Sequence, residues 1–71
     1  MLSPDARRVV RAAFRDHRHV ARDELLARAR AAGLDRRQLE VFLELPGGRL
    51  DEIEVLRALM GADHRRAVVG G

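Results

Sequence analysis

Gly33-Leu34-Asp35-Arg36-Arg37-Gln38-Leu39 contains a helix stop followed at once by a helix start, and the rest of the chain is read outward from it. Gly33 supplies the left-handed backbone that closes a helix, and Leu34 folds back toward Ala29. Asp35 with Gln38 reads as a capping box that opens the next helix, with Leu34 and Leu39 as its hydrophobic staple. Two helices therefore meet at a corner here.

Upstream of the corner, residues 22–32 predict a helix with Leu25, Leu26 and Ala29 inward and with Asp23 and Glu24 in the first turn, where the helix dipole favours acids. Downstream, a helix from Arg36 to about Leu45 buries Leu39, Phe42 and Leu43 and stops because the residue before Pro46 is pushed out of helical geometry. Pro46-Gly47-Gly48 is a tight turn, after which the same grammar recurs: Asp51 as N-cap, Glu54 closing the box, Leu50 stapled to Val55. The last helix is expected to bury Ile53, Leu56, Leu59 and Met60 and to end at Gly61.

At the other end, Ser3-Pro4-Asp5 reads as an N-cap, a proline at the first helical position and an acid in the first turn. Ala6, Val9, Val10, Ala13 and Phe14 then form one buried stripe, and the helix frays over Asp16 to His19, leaving Val20 as an anchor. Only Ala67-Val68-Val69 looks strand-like, and it is too short to support a sheet. The expected fold is all-α: a compact bundle of four short helices with a helix-turn-helix-like corner between the second and third. Residues 1–61 form the domain and residues 62–71 a flexible tail.

Composition narrows the function. A chain of 71 residues builds one small core and leaves no room for a catalytic cleft beside it. The absence of cysteine removes disulfides, thiolate metal sites and a cysteine nucleophile together. The sequence pI of about 11.2 overstates the basicity, because all 14 basic residues are arginine and the net charge is only +3. Residues 1–22 carry six arginines against two aspartates, so the charge sits in the first third. Phe14 and Phe42 are the only aromatics, and both fall on apolar stripes, which leaves no stacking platform for single-stranded nucleic acid. No stretch reaches the ~20 apolar residues of a membrane span, and the N-terminus lacks the pattern of a signal peptide, so a cytoplasmic location is expected.

Arg22-Asp23-Glu24-Leu25-Leu26, Ala29-Arg30-Ala31-Ala32-Gly33, Leu43-Glu44-Leu45-Pro46 and Val55-Leu56-Arg57-Ala58-Leu59 together resemble the DUF2795 family of small bacterial proteins over residues 20–61. The resemblance implies a compact helical module in which a helix ending at glycine is followed by a second ending in Leu-Pro, a polar turn and a last helix. It carries no activity and no catalytic residues. This chain departs from the family in having Val20-Ala21 where a proline and a Ser/Thr cap often stand, and Leu50 where an aromatic often follows the Leu-Pro.

The candidate sites are few. The corner has helix-turn-helix features in Ala29, Gly33, Leu34, Leu39 and Phe42, but Arg28 stands where such motifs want an apolar residue. Glu40 and Glu44 also stand beside Arg36 and Arg37 on the would-be reading helix, where carboxylates oppose phosphate contacts. A plain αα-hairpin is preferred. Arg7, Arg11, Arg15 and Arg18, aided by Arg36 and Arg37, form the candidate phosphate- or acidic-partner-binding face. His17 and His19 lack a third metal ligand, and Ser3, the only serine, is already used as a cap, so no metal, cofactor or catalytic set is expected.

The function expected is a small non-enzymatic helical interaction module, a regulatory or accessory subunit that docks on a larger protein or self-associates. Exposed Leu2, Val41 or Val55 would supply the docking patch. One alternative is a nucleic-acid-binding regulator working through the first-helix arginines. Another is a carrier or modifier acting through the terminal Gly70-Gly71.

Overall fold

The computed structural model describes residues 2–69. Its order is α1 (Pro4–Ala13), β1 (His19–Ala21), α2 (Arg22–Ala31), α3 (Arg36–Leu43), β2 (Arg49–Asp51) and α4 (Glu52–Val69). Four helices surround one apolar core, so the helical expectation holds in outline. A short two-stranded antiparallel ribbon, not expected from the sequence, is added to them.

The ribbon follows from how α2 and α4 begin. Each strand runs directly into a helix, and the central residues Val20 and Leu50 face each other across the ladder and are both buried. Each also occupies the position just before a helix N-cap, the site from which an apolar side chain staples the helix entry. Two such entries laid side by side have backbones close enough to pair. Ala21, the N-cap of α2, offers no side-chain acceptor, and the first amide of that helix, on Arg22, donates instead to the Gly48 carbonyl at 3.1 Å. The residue before β2 thus satisfies one of the amides that the start of α2 leaves without an intrahelical partner.

The corner forms as its residues dictate. Gly33 takes φ +73°, the Leu34 amide donates to the Ala29 carbonyl at 3.3 Å and the Gly33 amide to Arg30 at 3.0 Å, which is the paired closure of a Schellman ending. Asp35 accepts from the Gln38 amide at 2.9 Å, but Gln38 does not complete the box. Its Oε1 accepts instead from the Ser3 hydroxyl at 3.2 Å, tying the start of α1 to the first turn of α3. The second box is reciprocal: Glu54 donates its amide to Asp51 at 2.8 Å, and the Asp51 amide donates to the Glu54 carboxylate at 3.0 Å.

The largest correction lies in α4. The helix passes through Gly61, where the sequence predicts its end, and runs to Val69. A mid-helix glycine costs ~1 kcal/mol relative to alanine. Beyond it, burial of Ala62 and ion pairs from Arg65 and Arg66 to α3 offset that cost. Residues 62–69 are therefore helix rather than tail, while Gly70 and Gly71 lie outside the described residues.

The helices also sit at different rotations from those their stripes predict. On α4 the inward residues are Val55, Leu59 and Ala62, all fully buried, whereas Ile53 and Met60 are 64% and 52% exposed. On α3 Phe42 is fully buried and Leu39 packs against the core as expected, joined by Val41 and, just after the helix, Leu45, whereas Leu43 is 49% exposed. Both helices carry apolar residues around much of their circumference, and anchoring at one end selects the face that turns inward. For α4 the anchor is the Leu50 entry, which requires Val55 inward. For α3 it is the Leu45-Pro46 exit, held by Arg22.

Candidate functional site

Arg22 opens α2, and its guanidinium reaches across to the end of α3. Its Nε donates to the Leu45 carbonyl at 2.8 Å and its Nη2 to the Leu43 carbonyl at 2.7 Å. These are carbonyls that a helix ending cannot satisfy internally. Arg22 is therefore structural, and no periodicity in the sequence marks it. Its only trace is a basic residue at the first position of a helix, where the dipole disfavours a cation.

Glu40 of α3 and Glu44, its C-cap, pair with α4. Arg66 Nε contacts Glu44 at 2.8 Å, Arg66 Nη1 contacts Glu40 at 3.3 Å, and Arg65 Nη2 contacts Glu44 at 3.3 Å. The Arg65 hydrogen bond, opposed by partial desolvation and reinforced by Arg66, holds the Glu44 carboxyl below its ordinary range. Arg36 lies 3.8 Å from Glu40. A would-be reading helix thus presents two carboxylates already engaged by arginines of its own chain.

The six arginines singled out from the sequence do not form one stripe. Arg7 and Arg11 stand one turn apart on α1, whereas the helix ends at Ala13 and leaves Arg15 and Arg18 in the connection to β1. Arg36 and Arg37 occupy the first two positions of α3. Arg7, Arg11, Arg15, Arg18 and Arg37 are all exposed, and among the described residues none of them has a carboxylate within ion-pair distance. By contrast Arg8, Arg28 and Arg36 pair along their own helices with Asp5, Glu24 and Glu40.

The expected docking residues Leu2, Val41 and Val55 are instead core, none more than 2% exposed. The apolar surface lies on α4, at two of the four residues the sequence assigns to the core, Ile53 and Met60. Ile53, Leu56 and Met60 recur at i, i+3 and i+7, with Leu56 half-buried and the other two mostly exposed. Leu56 and Met60 border a groove of about 160 Å³ between α1 and α4, floored by Leu2 and Val10 and edged by Arg7, Arg11 and Glu52.

A larger, shallower depression of about 480 Å³ lies between α1 and α2, among Val9, Ala12, Ala31 and Ala32. The two arginines on its edge, Arg8 and Arg28, are the ones already paired. Among the described residues no group of three or more metal-type side chains converges, and no helix is long and apolar enough to cross a membrane. No protein-family model matches the chain, and neither does any curated protein or solved structure.

Proposed function

We propose that this chain is a small non-enzymatic helical interaction module whose working surface is the groove between α1 and α4. The observation that carries the reading is the second apolar stripe of α4. Val55, Leu59 and Ala62 satisfy the core and Leu56 packs at its edge, while Ile53 and Met60 on the same stripe remain mostly exposed. Scattered apolar surface residues are ordinary, but three on one stripe beside a groove form a patch of the kind that marks interaction sites. Methionine and arginine, enriched in interface cores, meet here in Met60, Arg7 and Arg11.

A nucleic-acid reading draws on the unpaired arginines of residues 7–18 and loses support at α3, where Glu40 and Glu44 occupy the outward face. The resemblance to the DUF2795 family is compatible with a module of either kind.

A photo-crosslinking residue introduced at position 60 tests the proposal in cells, with the same residue at Arg30, exposed on α2, as control. Adducts at 60 and none at 30 are expected. Equal adducts at both positions, or none at either, would overturn the reading.

A further inference from the structure

We infer that the occupant of the α1–α4 groove is an acidic amphipathic helix of a partner protein, an inference that rests on the docking role just proposed. The geometry selects a helix. A cleft between two helices receives a third by ridges into grooves, whereas strand addition needs a long sheet edge and each strand here has three residues. Ile53, Leu56 and Met60 span two turns of α4, matching apolar anchors at i, i+3 or i+4 and i+7 on the incoming helix. Met60 lends the surface adaptability through its unbranched side chain.

Charge selects the sign. Arg7 and Arg11 edge the groove on one side with no ion-pair partner among the described residues, and Glu52 is the one carboxylate among its lining residues. Carboxylates flanking the anchors of the incoming helix would meet both guanidiniums.

The same charges argue against a second copy. An antiparallel two-fold pairing of the α4 faces brings both α1 helices to one flank, so each copy contributes two guanidiniums there against one Glu52 carboxylate. A parallel pairing sets Arg7 and Arg11 against Arg57, which lies on the far edge of the stripe. Two copies at net charge +3 each also repel at long range.

The test is a titration of the full isotope-labelled chain with three synthetic helical peptides. One has an apolar i, i+3, i+4, i+7 stripe flanked by glutamates, one has lysines in place of the glutamates, and one is a scramble of the first. The acidic peptide is expected to bind saturably and to shift the amides of Arg7, Arg11, Leu56 and Met60. The variant combining Arg7→Gln and Arg11→Gln, both solvent-facing, should weaken it about fivefold, and the variant combining Ile53→Glu and Met60→Glu should abolish it. Circular dichroism confirms that each variant folds.

Equal binding of the acidic and basic peptides at Met60 would overturn the acidic assignment and leave the docking reading standing. Dimerisation seen by light scattering and lost in the Ile53→Glu, Met60→Glu variant would do the same in favour of a second copy. Binding of duplex DNA or of vesicles rich in phosphatidylglycerol through this face, with no peptide binding, would also overturn the inference. Absence of any occupant, together with no crosslinks at position 60, would bring down both readings.

Discussion

Replacing Arg22 by methionine should destabilise the fold by about 2 kcal/mol. Methionine preserves most of the aliphatic stem, so the loss isolates the guanidinium. Two hydrogen bonds disappear, to Leu45 at 2.8 Å in a partly buried setting and to Leu43 at 2.7 Å in an exposed one. A bond from a charged donor is worth about 1.5–3 kcal/mol. The Leu43 carbonyl regains water when its partner is lost, so the two values do not sum, and the Leu45 bond dominates.

The dipole contribution is small, because Arg22 lies at the favourable end of α3 and the unfavourable end of its own helix. Arg22→Lys keeps the charge but has no planar fork to bridge both carbonyls, so it should retain about half the effect. Urea unfolding followed by circular dichroism reads this directly. With a slope of about 1 kcal/mol/M, the midpoint of Arg22→Met should fall by about 2 M. A midpoint within about 0.5 M of the parent would refute the view that this side chain closes α3. So would lysine and methionine variants of equal stability, because the fork geometry would then be irrelevant.

Gly61→Ala should raise stability by about 1 kcal/mol, measured by the same unfolding curve. The new Cβ would meet only the terminal Nη1 of Arg65, at 3.4 Å. Leu59→Ala should cost about 2–5 kcal/mol, and Met60→Ala, one residue on, should cost under about 1 kcal/mol, which distinguishes the inward stripe from the outward one by thermal melting. Glu44 has a native pKa below its ordinary 4.5, so its contribution is fully present above that value and is lost as the pH falls through the depressed native one. A pH series of unfolding curves should show this acid-side loss, and a variant lacking both Arg65 and Arg66 side-chain charges should show less of it.

The local signals of this sequence were legible because each is decided within a few residues. Gly33, Asp35, Asp51 with Glu54, and Ser3-Pro4 all do locally what their chemistry allows, and the helix starts fall where they point. The ribbon was not legible, because three-residue strands have no period to detect and owe their pairing to two helix entries placed side by side by tertiary packing. The continuation of α4 was hidden for a related reason. Gly61 is a plausible stop on propensity, and what carries the helix past it is contact with Glu40 and Glu44, more than fifteen residues earlier.

The candidate site was hidden by rotation. On α4 the sequence assigns Ile53, Leu56, Leu59 and Met60 to the core, and of these Leu59 is fully buried, whereas Val55 and Ala62 take the inward places expected for Ile53 and Met60. The entry cap sets this rotation: Leu50 precedes the N-cap Asp51, so its staple partner is Val55, which points the helix with Val55 inward. Leu56 then packs at the edge of the core, and Ile53 and Met60 are left outside. Isoleucine is a poorer helix former than glutamate or lysine, and apolar side chains at 64% and 52% exposure recover little of their transfer energy within the monomer. A polar residue at 53 or 60 would serve the fold as well. The apolar character of that face is the feature on which the proposed docking role rests.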